Sequence, residues 1–534
     1  MRKAYSAAAL VVAGATVFAV TTANASDFSY METVAPGTNL KVLATSGDLI
    51  KGYTLFGVPD GMGFLKDGDN YTLLMNHEFL LTDPVTGVSK RANGAAAGST
   101  VSALNFDSAT QSISGGTELL KNVTWWDYKT NAYSSKPGAP EGAAAKDSYG
   151  TPNHGVGLSR FCSSYTSQPG ELSYKDASGI TYGYTGPAYW TGEESSDESR
   201  RFVSDLAGNL VQLPRLGLAS TETEIVVPTG NKVTAVLANE DGSATSSQLM
   251  MYVGEKTTTG SWVDKAGLTN GNLFVAQMPG YESDNKIRTG LGKRAMTPVI
   301  FNQINWNQNG VALNAEAQVK GSVFSRIEDG SFDPNNPSDY YFLTTESNKD
   351  PKATAANPDE PTFARDGGAL WKLHFNDIKN PLAGGMLTML LDGSEAPYLS
   401  KPDNLTFAGN GNILIQEDPG GNDHVSRLVA YRMSDGKIGI VAKFKDVYFK
   451  PGAAQFITND EESSGIIDVT KELAKPGDKK SYFLLNAQVH VTATKARIDL
   501  PSSMSDAQKQ ALVDAGEGGQ LYMLTIDDWS KIYG

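Results

Sequence analysis

The stretch NILIQED, residues 412–418, is an apolar run of strand-forming residues that passes into an amide and two carboxylates with no turn residue between them. The same shape recurs along the chain. YTLLMNHE ends at Glu78, PAYWTGEE at Glu194, KVTAVLANED at Asp241, DYYFLTTE at Glu346 and SYFLLNAQ at Gln488. A second apolar segment follows each of the six: VSALNFD from Val101, GNLVQLP from Gly208, GNLFVAQM from Gly271, ALWKLHF from Ala369, SRLVAYRM from Ser426 and GQLYMLTI from Gly519. Two units agree over a longer span, VPDGMGFLKDGDNYTLLMNHE from Val58 and KPDNLTFAGNGNILIQED from Lys401. They share a Pro-Asp, an aromatic residue, a Gly-rich turn and an acid-ended strand. Units of a few tens of residues with insertions between them are the sequence signature of a propeller, in which sheets bury both faces by packing around one axis. The expected fold is all-β, a six-bladed β-propeller with long rim insertions and a few short helices.

That architecture gives the acids a purpose. If equivalent strand ends converge on the axis, these six strands, five ending in an acid and one in an amide, place several carboxylates at one mouth of the channel. Like charges at that density cannot all remain ionised unless cations sit among them or their pKa values rise. A single acid of this kind is most often a solvated strand end; six recurrences of an acid or amide at one place in the repeat argue for bound cations.

Composition agrees. Fifty-five glycines and 24 prolines suit many short strands joined by turns. The insertions are expected at about 121–189, 283–317, 347–363 and 489–518. They carry turn sequences such as SFDPNNPSD and one helix, SMSDAQKQALVDAGEGG, with Ser505 to cap it and Gly516 to stop it. The N-terminal MRK, the apolar run from Ala7 to Val20 and Ala23-Asn24-Ala25 read as a secretory signal peptide over 1–25. Residues 26–534 then form a single propeller domain, exported through a Sec-type route to the periplasm or beyond. No later stretch reaches the ~20 apolar residues of a membrane span. With 59 acidic against 45 basic residues and a formal net charge of −14, nucleic acid and anionic lipid are poor partners. The lone Cys162 has no partner for an internal disulfide. It reads either as an inert buried thiol or as a thiolate protected by a metal.

Five histidines complete the inventory. His374 reads as structural and His424 as a turn residue. His77 and His490 lie at acid-ended strands and could face the channel, and His154, shortly before Cys162, could reach a substrate phosphate.

In order along the chain, LMNHE, GLSRFCSSY, YWTGEES, ANEDG, FSRIEDG, SKPDNLTF and ILIQED resemble the PhoX family of secreted alkaline phosphatases, over about Thr38 to Trp529. No one motif is diagnostic; the ordered set carries the resemblance. It implies a six-bladed propeller whose axial site holds ferric iron and calcium and releases phosphate from small-molecule phosphomonoesters. By motif, Cys162 corresponds to a thiolate ligand of iron. Glu193, Glu194, Glu240 and Glu328 correspond to carboxylates shared between iron and calcium, and Asp403, Glu417 and Glu78 to further metal ligands. Arg326 would hold the phosphate with its planar fork, with His154 beside it as the second catalytic candidate. The bland reading of Arg326 is a salt bridge to Glu328 or Asp329. A monomer is expected. Two features depart from the family: its members commonly use a twin-arginine signal where this chain has MRK, and an insertion separates Cys162 from YWTGEE. The same cluster could instead cleave phosphodiesters or phytate, and a calcium-stiffened propeller that only binds partners is the reading outside enzymes.

Overall fold

The computed structural model describes residues 28–81, 98–243, 246–346, 367–420, 424–491 and 505–533. The expected signal peptide at 1–25 lies outside them, as does the insertion at 347–363.

Six antiparallel units follow one another around an axis. Blade 1 comprises, from the axis outward, Pro59–Asp67, Asn70–His77, Thr100–Asp107 and Ser112–Glu118. Blade 2 runs from Tyr165–Ser167 through Ala188–Gly192 and Arg201–Asp205 to Asn209–Gln212. Blade 3 begins with Thr221–Val226 and Val233–Glu240, blade 4 with Ile327–Asp333 and Asn336–Thr344, and blade 5 with Pro402–Ala408 and Asn412–Glu417. Blade 6 contains Glu461–Asp468, Ser481–Val489 and Gly518–Ile526. Its outer strand, Thr38–Thr45, comes from the start of the described chain, and Met31–Thr33 likewise adds an edge to blade 5. Pairing the first segment with the last blades closes the ring without a free edge. The first strands of successive blades touch one another all the way round.

This arrangement explains NILIQED. Asn412–Glu417 is the second strand of its blade and is buried along its whole length. Ile413 and Ile415 pack with Leu343, Leu370 and Leu405 between blades 4 and 5, whereas Leu414 packs with Phe483, Leu485 and Leu524 between blades 5 and 6. A strand with both faces covered needs no alternation, so its sequence is continuously apolar. Each such side chain stabilises by about 1.5–3 kcal/mol. The Gly-rich turn before it holds Gly411 at φ 82°, a left-handed conformation that a side chain would strain.

The structure corrects one geometric expectation. The acid-ended strands are the second strands of their blades, not the ones lining the axis. Because the pairing is antiparallel, each of their ends meets the beginning of a first strand, so both converge on one face. The insertions also do more than decorate a rim. Asn122–Asp127 pairs in parallel with Asn209–Gln212, and Ala132–Ser134 pairs beyond it as the outer edge of blade 2. Met296–Ile304 pairs with Gly385–Leu391, fusing blades 3 and 4 into one nine-stranded sheet. The expected helix spans Asp506–Asp514, with Gly516 at φ 92° beyond it. No helix among the described residues is long and apolar enough to cross a membrane.

Candidate metal and phosphate site

The second residue of the first strand is acidic in five blades: Asp60, Glu222, Glu328, Asp403 and Glu462. In blade 2 the equivalent residue is Cys162, whose neighbour Phe161 bridges to Glu193. Local backbone geometry turns these side chains inward. Pairing slips just after Pro59, Thr221, Ile327 and Pro402, and a bulge of this kind re-aims the residue beside it. The result is one ring of five carboxylates and a thiol.

A second ring lies above it, at the ends of the second strands. In five blades the N–H of Glu78, Glu194, Thr345, Asp418 or His490 donates to the carbonyl of the residue preceding the first strand: Val58, Arg160, Arg326, Lys401 or Asp460. Four of those preceding residues, Val58, Arg160, Arg326 and Lys401, have φ between 41° and 59°. Such a conformation is costly for a residue with a Cβ, and the surrounding structure enforces it here. Three of the four are cations.

Within the two rings, donor atoms of Asp60, Glu78 and Cys162 lie within 4.8 Å of one another, as do those of Glu222, Glu328 and Asp403, and of Glu78, Glu462 and His490. Cys162 Sγ is 3.3 Å from Asp60 Oδ2, and Gln488 donates to Asp60 Oδ2 at 3.0 Å and to Glu78 Oε2 at 3.1 Å. Burial, and then mutual repulsion, push Asp60, Glu222, Glu328, Asp403, Glu462 and the Cys162 thiol well above their ordinary ranges. Two unit charges 4 Å apart cost about 4 kcal/mol at an effective dielectric constant of 20. Asp60 Oδ1, Asp403 Oδ1 and both oxygens of Glu222 are buried without a hydrogen-bond partner among the described residues. An acceptor in that state costs 1–3 kcal/mol or more unless a cation satisfies it. The residues therefore fit metal ions: oxygen donors for a hard cation, and one thiol for a metal that tolerates sulfur.

The upper ring is charge-compensated. Arg160 Nε donates to Glu78 Oε1 at 2.9 Å, and its Nη2 lies 3.0 Å from Glu194 Oε2. Arg326 bonds the neighbouring blade's Asp241 through Nε at 2.7 Å and Nη2 at 2.5 Å. Burial raises Glu78 and Asp241, but Arg160 and Arg326 outweigh it and hold both carboxyls below the usual range. Burial also opposes protonation of His490, yet Glu517 at 3.2 Å lifts it to about 9. Arg160 and Arg326 open onto a common cavity of about 330 Å3, and Arg326 Nη1 lies 3.7 Å from Glu346 Oε1. The partner of Arg326 is thus chiefly Asp241, with Glu328 at 3.5 Å.

Of the residues singled out in the sequence, Glu78, Cys162, Glu328, Asp403 and His490 fall in the clusters, and Glu194 and Arg326 line the cavity. Glu193, Glu240 and Glu417 turn the other way. Glu193 is bonded twice by the Arg200 guanidinium at 2.7 Å. Glu240 accepts from Gln248 N at 2.9 Å. Glu417 is clamped by Arg427 at 2.7 Å through both oxygens. Adjacent residues at a strand end point to opposite faces, so in each acidic pair only the second faces the axis. His154 places Nε2 3.0 Å from Glu198 Oε2 and lines neither cavity near the two arginines. His77 is buried on Gly57 O and Ser102 Oγ, His374 pairs with Asp339, and His424 bonds Val425 O.

The sequence reading did not single out Asp60, Glu222, Glu462 or Arg160, and it named Asp241 and Asp418 only as strand ends. The shared Pro-Asp of Pro59-Asp60 and Pro402-Asp403 signalled the first of these. Arg160 becomes visible only once its place before Phe161 is matched to that of Arg326 before Ile327. A contrast follows from the outward-turned acids. Glu417→Gln, which strips the charge from the buried partner of Arg427, should cost about 3 kcal/mol of stability while bound metal per chain stays constant; loss of metal in elemental analysis would place Glu417 in the ligand set instead.

No family model matches the sequence, and no curated protein does. Among solved structures the chain is similar to Pseudomonas fluorescens PhoX in complex with vanadate, a transition state analogue. The TM-score is 0.60 at 12% identity, covering 93% of this chain and 96% of that one. At that identity the likeness is one of fold: the six-bladed architecture is common to both. A structure from the GH130 family of mannoside phosphorylases aligns at TM-score 0.25 and 7% identity, over 80% of this chain and 96% of that one, a score at which no common arrangement is implied.

Proposed function

We propose that the protein is an exported, metal-dependent phosphatase that hydrolyses phosphomonoesters at the axial face. The observation that carries this reading is the pair Arg160 and Arg326, facing one cavity directly above a buried ring of carboxylates and one thiol. A propeller that only bound partners would need neither two fixed guanidiniums over one cavity nor a buried thiol among acids.

Asp60, Glu78 and Cys162 would hold iron, the one metal of the expected pair suited to sulfur, and Glu222, Glu328 and Asp403 would hold calcium. When bound, such cations supply positive charge to the phosphoryl oxygens and lower the pKa of water at the site. The chain's own groups do the rest. Arg326, fixed by Asp241 along its Nε–Nη2 edge, presents Nη1 to a phosphate oxygen, and Arg160 presents charge from the adjacent blade. Both guanidiniums are held in place before substrate arrives, so they stabilise charge spreading over the equatorial oxygens without reorganising. Oxygen from water bonds to phosphorus as the ester P–O bond breaks. One proton of that water goes to the departing alkoxide and the other stays with phosphate.

Elemental analysis of the exported protein, with turnover of a chromogenic phosphomonoester, tests the proposal. Iron and calcium near stoichiometric levels with turnover are expected. Cys162→Ser should lose iron and its visible absorbance together with activity; unchanged colour and rate would leave the cysteine structural. Calcium without turnover would favour a binding module.

A further inference from the structure

The cavity under the two arginines has a wall of unusual composition. Ser148, Ser195, Ser196, Ser220, Ser243 and Ser246 line it, and Tyr149 supplies its only large ring among the described residues. Ser220 directly precedes the first strand of blade 3, the place that Arg160 holds in blade 2 and Arg326 in blade 4. Its side chain therefore stands between the two guanidiniums in the order of the blades. Ser220 is 8% exposed, so its hydroxyl is largely withdrawn from water. Ser243 and Ser246 join their hydroxyls at 2.7 Å, and the Ser196 hydroxyl donates to Asn153 Oδ1 at 3.0 Å and accepts from Glu198 N at 3.2 Å, which leaves it one lone pair for a ligand. On the other side of Arg160 and Tyr149 lies a second cavity of about 370 Å3, in which Glu78, Asp418, Asp460, Glu462 and Glu517 outnumber Arg160 and His490.

We propose that the alcohol half of the substrate is a neutral, hydroxyl-rich group, a sugar or smaller polyol, seated against the serine wall. The proposal rests on the phosphatase reading and names its substrate class. An anionic leaving group meets the carboxylates of the neighbouring cavity. An apolar one would leave the Ser220 hydroxyl and its neighbours desolvated with nothing to bond, and sites built to hydrogen-bond a substrate reject analogues that lack the matching groups. Hydroxyls both donate and accept, as serines do, and the cavity volume accommodates one six-membered ring.

The test compares glucose 6-phosphate with cyclohexylmethyl phosphate on the metal-loaded protein; both carry a primary phosphate on a six-membered ring, and only one carries hydroxyls. The expected result is a kcat/KM at least tenfold higher for the sugar ester. Ser220→Ala with Ser246→Ala should narrow that ratio at least threefold, a comparison in which the intrinsic reactivities of the two esters cancel. A wild-type ratio within threefold of unity, or one unmoved by the double variant, overturns the proposal. Turnover of p-nitrophenyl phosphate reads the phosphatase activity independently. If neither ester is cleaved, calorimetric dissociation constants for both on the same holoprotein supply the ratio instead, judged by the same limits.

Discussion

Chelating the metal-loaded protein should abolish turnover and lower its melting temperature, and the loss of stability should be larger at pH 8 than at pH 6.5. The first effect follows from the proposed chemistry; the second follows from the ring acids, whose repulsion only cations relieve, on top of a pH dependence that other buried acids impose with or without metal. Burial pushes Glu224, Glu240 and Glu461 up to about 8 and Asp329 up to about 7. The folded chain holds these protons up to about pH 8 on the three glutamates and about pH 7 on Asp329, whereas the unfolded chain has already released them. Stability therefore falls as pH rises from 6.5 to 8, by up to about 2 kcal/mol for each such group. The ring acids, also raised, add to the trend in the same direction. His77 works in the opposite sense but elsewhere: burial lowers it to about 4, so its contribution is lost only as pH falls below about 6.5. Bound cations neutralise the ring and should flatten the profile. Melting curves at pH 6.5 and 8, with and without chelator, decide the matter. A chelated protein no less stable at pH 8 than the loaded one would mean that the acids are satisfied without metal.

Arg326→Ala should lower kcat/KM by about 10²- to 10³-fold, the range seen when one preorganised donor to a developing oxyanion is removed. The geometry separates this residue from the metal shell. Its fork is held by Asp241, and only its outer edge meets the cavity. Metal per chain should stay unchanged in the variant, with the loss appearing in turnover and in weaker binding of inorganic phosphate. Arg326→Lys keeps the charge but not the fork and should recover only part of the rate. If metal leaves along with activity, the guanidinium holds Asp241 and Glu328 in place for the ligand shell, and its contact with substrate is disproved.

The strand ends were legible in the sequence; their register was not. EE at 193–194 and ED at 240–241 and 417–418 each announced an acid at the axis, but a strand end presents neighbouring residues to opposite faces. Only the pairing of Phe161 with Glu193, Thr221 with Glu240 and Pro402 with Glu417 fixes which one turns inward. Arg200 and Arg427 then claim the outward members, Glu193 and Glu417, across distances along the chain that carry no local signal. The first strands were harder still, because a single acid at the second position of an ordinary strand resembles any other. Asp60 and Asp403 could be matched through their prolines, whereas Glu222 and Glu462 had nothing to mark them.

Repetition within the sequence was enough to determine an all-β, six-bladed architecture, since continuously apolar second strands can be buried on both faces only by stacking blades around an axis. It was also enough to place acids at one end of that axis. What only the tertiary structure decided is which acids meet. The bulges that aim the lower ring are set by the register of each blade's first hairpin, Thr221 opposite Glu240 and Ile327 opposite Thr344, and the residues that carry Arg160 and Arg326 are left-handed, which no local motif spells out. A donor set scattered over six blades exists as a site only after those strands have closed into a ring.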